Sequence, residues 1–189
     1  MGFTEEQKRY RNDFIMLTLL AVFGIMIGIF LYEYTDFFKS LNKEQLSTFT
    51  DKYEFSALIS LFSSELKFII PVFISGFTLF GPLVSFGVLL YKGFICGFSM
   101  LYFGMCYQNG NITEKEFRLY TLIFILSLLI YIILGAKSMA FSGTLKYASP
   151  DIKMILKQDF AQKYILTFLV LSAFTLILLI LKYSVPYFK

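Results

Sequence analysis

Hydrophobic residues in this chain gather into long runs separated by short polar stretches. Residues 14–32 are nineteen positions without a formal charge, 119–136 and 164–181 are eighteen each, and 68–107 are forty positions with one charge, Lys92. About twenty apolar residues in a helix cross a hydrocarbon core of about 30 Å, whereas shorter runs suit the core of a soluble domain. Forty residues are too many for one crossing and enough for two. The pattern predicts an all-α, polytopic transmembrane helical bundle, one integral membrane domain over residues 1–189. About five spans are expected, near 14–32, 68–90, 93–109, 119–136 and 164–181.

The long run needs a turn. Tyr91-Lys92-Gly93 is the expected place, because it sets the run's one charge at the interface. The first arm would then be kinked at Gly81-Pro82, where proline removes a donor and crowds the preceding turn. The alternative is a turn at Gly81-Pro82 itself, which leaves Lys92 well inside the membrane. Before this run, Phe55, Leu58, Ile59, Phe62 and Leu66 recur on one helical face, with Ser56, Ser60, Ser63 and Lys67 elsewhere. That pattern predicts an amphipathic interfacial helix in the first external loop, with a partner-docking role compatible with it. Asn42 and Gln45 have the spacing of a helix cap ahead of Leu46, Phe49 and Tyr53. Asn109-Gly110-Asn111 reads as a turn, and Ser149-Pro150-Asp151 as a helix start. The first run reads as an uncleaved span, since Phe30-Leu31-Tyr32-Glu33 offers no small-residue cleavage site.

Composition agrees with the pattern. The 189 residues are 57% hydrophobic and 16% charged, against about 25% charged in soluble domains. The net charge of +4 could suggest nucleic acid, but Lys and Arg flank the apolar runs and so read as topology signals, not a nucleic-acid surface. With the N-terminus in the cytoplasm, Lys8, Arg9, Arg11, Lys92, Lys137, Lys146, Lys153 and Lys157 fall inside. The acid-rich loop 33–65 falls outside. Five spans then make a multi-pass protein of the cell membrane with an external C-terminus.

Candidate chemistry is sparse. The chain has no histidine, which removes the commonest general base and metal ligand. No Asp or Glu falls within the expected spans, and no phosphate-binding glycine loop or zinc pattern is present. Neither a catalytic residue, a metal ligand nor a cofactor site is expected. Cys96 and Cys106 are ten residues apart, about 15 Å along one helix, too far for a disulfide between them. Glycine carries more information. Gly76, Gly81, Gly87, Gly93, Gly97 and Gly104 fall within thirty residues, and Gly93 to Gly97 is a GxxxG. Such residues let membrane helices approach closely, within one chain or in a homo-oligomer. The packing or partner candidates are therefore Gly76, Gly81, Pro82, Lys92, Gly93 and Gly97. Polar Ser75, Thr78, Ser85 and Ser99 either line a cavity or bond to backbone carbonyls.

At this stretch the chain resembles the stage II sporulation protein M family. The resemblance rests on Ser75-Gly76-Phe77-Thr78-Leu79-Phe80-Gly81-Pro82 and on Leu89-Leu90-Tyr91-Lys92-Gly93-Phe94-Ile95-Cys96-Gly97-Phe98-Ser99. A weaker echo lies at Phe141-Ser142-Gly143-Thr144-Leu145. The segment 108–116 departs from the family's pattern. The resemblance implies a non-enzymatic membrane scaffold that holds peptidoglycan hydrolases at the septal membrane during engulfment, with those hydrolases and the lipid bilayer as partners. A different expectation is a membrane subunit of a transporter paired with a separate ATPase, coupled through the segment 137–159.

Overall fold

The computed structural model describes residues 5–34, 55–145 and 159–185. These form five α-helices: α1 (Glu5–Tyr34), α2 (Phe55–Gly76), α3 (Gly81–Gln108), α4 (Glu114–Leu145) and α5 (Asp159–Ser184). The expected all-α bundle is therefore what the chain adopts. The helix-cap pattern at Asn42 and the helix start at Ser149 lie outside the described residues. Four helices, α1, α3, α4 and α5, are long and apolar enough to cross a membrane. The fifth, α2, carries Glu65, Lys67 and Pro71 and packs against α3, α4 and α5.

Neighbouring helices run in opposite directions because their links are short. Residues 77–80 join α2 to α3, and 109–113 join α3 to α4. The side-chain pairings give the same order. Glu65 faces Lys92 and Phe68 stacks on Tyr91, so α2 and α3 are antiparallel. Glu65 meets Tyr131 and Ser75 meets Ser138, so α2 and α4 are parallel. Tyr164 stacks on Phe141 while Lys182 lies over Phe124, so α5 is antiparallel to α4.

The expected turn at 91–93 does not occur. The chain reverses at 77–80, and α3 runs unbroken through Tyr91, Lys92 and Gly93. Spans at 68–90 and 93–109 are therefore replaced by α2 and α3. Two physical reasons favour the observed turn. Pro82 falls in the first turn of α3, where its missing N–H would be unpaired anyway. The reversal is also closed by its own bonds, Phe77 N to Ile74 O at 3.0 Å, Thr78 N to Ser75 O at 3.0 Å and Phe80 N to Thr78 Oγ1 at 3.3 Å. The interfacial helix expected around 55–67 is not a separate element either, but the first half of α2. Within it Ile59 is exposed, while Phe62 and Leu66 are half-buried.

The link after α3 forms as expected. Gly110 takes a φ of 73°, a region open to glycine. Gly110 N then bonds Tyr107 O at 3.0 Å and Asn111 N bonds Cys106 O at 2.9 Å. These two bonds are a Schellman closure that occupies carbonyls left over at the helix end. Two residues later α4 opens with a capping box. Thr113 N donates to Glu116 Oε2 at 2.7 Å, and Glu116 N returns a bond to Thr113 Oγ1 at 3.3 Å.

The main core lies between α1, α2, α3, α4 and α5, around Leu17, Val72, Leu89, Tyr131, Leu134 and Phe141. A smaller one, around Phe103, Tyr120, Ile123 and Val185, sits toward the 109–113 end. The outer surface is apolar as well. Leu19, Phe23 and Met26 on α1, Leu122 and Ile125 on α4, and Leu166, Leu169 and Phe174 on α5 are all exposed. Helices that are apolar on both faces need an apolar solvent, and lipid is that solvent. This is a membrane protein.

Candidate functional site

Among the described residues, an ion pair inside the bundle is built from three helices. Lys92 lies on α3, eleven residues or about 16 Å past Gly81. Glu65 lies on α2, eleven residues before Gly76, so folding at 77–80 brings the two to one level. Lys92 Nζ donates to Glu65 Oε2 at 2.7 Å. Tyr131 of α4 donates its hydroxyl to the same oxygen at 2.5 Å. The ammonium also lies 4.6 Å from the ring centroids of both Phe68 and Tyr131. Both charges are largely removed from solvent, with side-chain exposures of 11% for Lys92 and 20% for Glu65.

The expectation set Glu65 in the external loop; the structure sets it inside α2, against Lys92 of a helix apolar enough to cross a membrane. That expectation rested on ending the external loop near residue 65, and α2 starts ten residues earlier. Lys92 is neutralised inside the bundle. A fourth helix adds a second cation. Lys182 of α5 lies 4.4 Å from the Phe124 ring centroid. Cys96 and Cys106 are free thiols.

The glycines explain how α1 joins. A Cβ built on Gly93 would run into the Ala21 carbonyl, and one on Gly97 into the Ile25 carbonyl. From the other side, a Cβ on Gly24 would stand 2.6 Å from Leu90 O, and one on Gly28 would overlap Phe94 O. Rising numbers on α1 meet rising numbers on α3, so these helices are parallel. Gly24 and Gly28 are a second GxxxG facing Gly93 and Gly97. Intrachain packing therefore accounts for the GxxxG on α3. The partner glycines on α1 have the same readable spacing in the sequence, and the list of packing candidates drawn from residues 75–104 does not include them.

The remaining candidates meet at the reversal. Gly76 makes room for the Tyr164 hydroxyl, which donates to Phe73 O at 3.0 Å. A Cβ on Gly81 would stand 2.7 Å from Ser142 Cβ. Ser138 Oγ bonds Val72 O at 2.9 Å and lies 3.1 Å from Ser75 Oγ. Ser142 Oγ donates to Thr78 O, and Ser85 Oγ reaches Gly135 O at 3.5 Å. Ser75, Thr78 and Ser85 thus bond to backbone carbonyls, one of the two roles open to them. Of the face Phe55, Leu58, Ile59, Phe62 and Leu66, none joins this cluster among the described side chains.

Chemically the arrangement is saturated. Lys92 spends its donor capacity on a carboxylate and two ring faces. Glu65 Oε2 accepts two bonds. Among the described residues every buried side-chain oxygen and nitrogen has a hydrogen-bond partner, and no three metal-ligating side chains come together. No family model, curated protein or solved structure matches the chain.

Proposed function

We propose that the protein is a non-enzymatic membrane scaffold that assembles other proteins at the bilayer. Following the resemblance at residues 75–99, those partners are peptidoglycan hydrolases held at the septal membrane during engulfment in sporulation. One observation carries the reading: the polar groups at the centre of the bundle are committed to one another. A transport path needs groups that exchange partners along a water-filled route. A catalytic lysine needs an ammonium that can lose its proton to a base. Here Lys92 is held by Glu65 and two aromatic rings, which suits a rigid platform.

On this reading the N-terminus is cytoplasmic and the C-terminus external, following the distribution of Lys and Arg. The link between α1 and α2, with its excess of acids over Lys, then faces the wall. The second reading, a transporter subunit driven by a separate ATPase, draws on the segment 137–159, most of which lies outside the described residues.

The test is photocrosslinking in sporulating cells, with a photoreactive residue at Phe62 and another at Ile155. Capture of a peptidoglycan hydrolase from Phe62 is the expected result. Capture of an ATPase from Ile155, with no hydrolase at either position, would overturn the scaffold and install the transporter subunit.

A further inference from the structure

The outer side of α2 does not match the rest of the lipid-facing surface. Ile59, Ser63, Lys67, Ile70, Pro71 and Ile74 are all exposed. From Ser63 onward the spacing is four, three and four residues through Lys67, Ile70 and Ile74, which is the seam by which one helix packs on another. Lys67 sits nine residues, about 14 Å, from Gly76 and twelve, about 18 Å, from Phe55. It is two residues from Glu65 and so lies near the level of the Lys92 pair. Among the described residues no carboxylate pairs with it. Its side chain leaves a helix tilted toward the N-terminal end, away from the nearer end of α2. Pro71 adds a second polar group at the same place. It lacks the N–H that would close onto the Lys67 carbonyl one turn back.

We propose that this stripe docks a membrane helix of a different protein that carries one acidic side chain at the level of Lys67. Charge selects the occupant. An ammonium at bilayer depth is costly without a counter-charge, and a carboxylate from the partner supplies it. A second copy of this chain cannot. The two-fold axis of a membrane dimer would set Lys67 against Lys67. Ser63 is small enough for close approach, Ile70 and Ile74 provide the apolar contact on the Gly76 side of the pair, and Ile59 provides it on the other. The inference deepens the scaffold reading by locating where a partner's membrane helix sits. It does not require the partner to be a hydrolase.

The test uses the full chain in phosphatidylcholine vesicles with a photoreactive residue at Ile70. The probe is a synthetic Leu/Ala transmembrane peptide with one central Glu, and the control peptide carries Gln in its place. The Glu peptide is expected to be captured roughly five- to thirtyfold more than the Gln peptide, the range of one interhelical polar contact in model membrane peptides. That advantage should vanish in Lys67→Gln and survive in Lys67→Arg. Because Lys67 is exposed, both variants should keep the helical content and elution volume of the parent. Equal capture of the two peptides would overturn the proposal. So would a self-crosslinked dimer as the main product, or loss of the Glu advantage when phosphatidylglycerol replaces part of the lipid. The probe peptide contains no hydrolase. Failure here with hydrolase capture at Phe62 would therefore reject the α2 face and leave the scaffold. The reverse outcome would reject the hydrolase and leave the face.

Discussion

Removing Lys92 should cost more than removing Lys92 and Glu65 together. In Lys92→Met the chain keeps a stem of similar length and loses the ammonium. The Glu65 carboxylate, 20% exposed, is then left with the Tyr131 hydroxyl as its described partner. Two unit charges 2.7 Å apart attract by about 6 kcal/mol at an effective dielectric of about 20. Much of that gain offsets the cost of desolvating both ions. Deleting one partner exposes the cost without the gain, typically about 3–5 kcal/mol. One feature places Lys92→Met near the lower figure: Tyr131 still donates to the carboxylate, a bond to a charged group worth about 1.5–3 kcal/mol. The double variant Glu65→Leu/Lys92→Met removes both charges and leaves the Tyr131 hydroxyl the Glu65 backbone oxygen at 3.4 Å, so it should be clearly less damaged than Lys92→Met. The assay is reversible unfolding in mixed dodecylmaltoside and sodium dodecyl sulfate micelles, followed by far-ultraviolet circular dichroism. A Lys92→Met loss below about 1 kcal/mol, or a double variant as damaged as the single, would refute a desolvated pair.

Three further outcomes follow from the packing. Gly28→Leu and Gly97→Leu should each destabilise by at least about 1–3 kcal/mol, because their first side-chain atom already meets backbone; Gly87→Leu, with nothing within 4 Å, should be close to neutral in the same unfolding assay. Ser138→Ala should cost about 1 kcal/mol, since its hydroxyl bonds the Val72 carbonyl and lies within reach of Ser75. In a background with both native cysteines replaced by serine, Thr78→Cys and Asn109→Cys should react with an impermeant maleimide from opposite faces of sealed vesicles; labelling from one face would contradict α3 as a single span.

How much of this was legible in the sequence differs between fold and site. Helix type and membrane character were plain, because long uncharged runs have few other physical solutions. Two ends were also legible, since Asn109-Gly110-Asn111 and Pro82 carry their own backbone chemistry. The turn was misplaced because one lysine was weighed as a charge that must reach water. That reasoning treats a charge alone. In a hairpin the cost depends on what stands opposite, and proline in a first helical turn costs nothing.

The same step explains why Glu65 was missed. Under a turn at 91–93, Lys92 is at a tip and Glu65 is in an external loop, so the two have no relation. Under a turn at 77–80, both lie eleven residues from the helix ends that flank it, and opposite charges at equal depth become a prediction of their own. The ion pair is thus a consequence of the turn and also an argument for it, because each charge makes the other tolerable at that level. Tyr131 had no such sequence signal, since α4 offers four tyrosine and phenylalanine residues between 117 and 131 and the helix phase alone decides which one turns inward. What the sequence could not supply was the phase of α4 against the hairpin. That phase is set by Ser138 and Ser142 seating on the carbonyls of Val72 and Thr78, so the hydroxyls at the reversal determine which aromatic ring meets the ion pair.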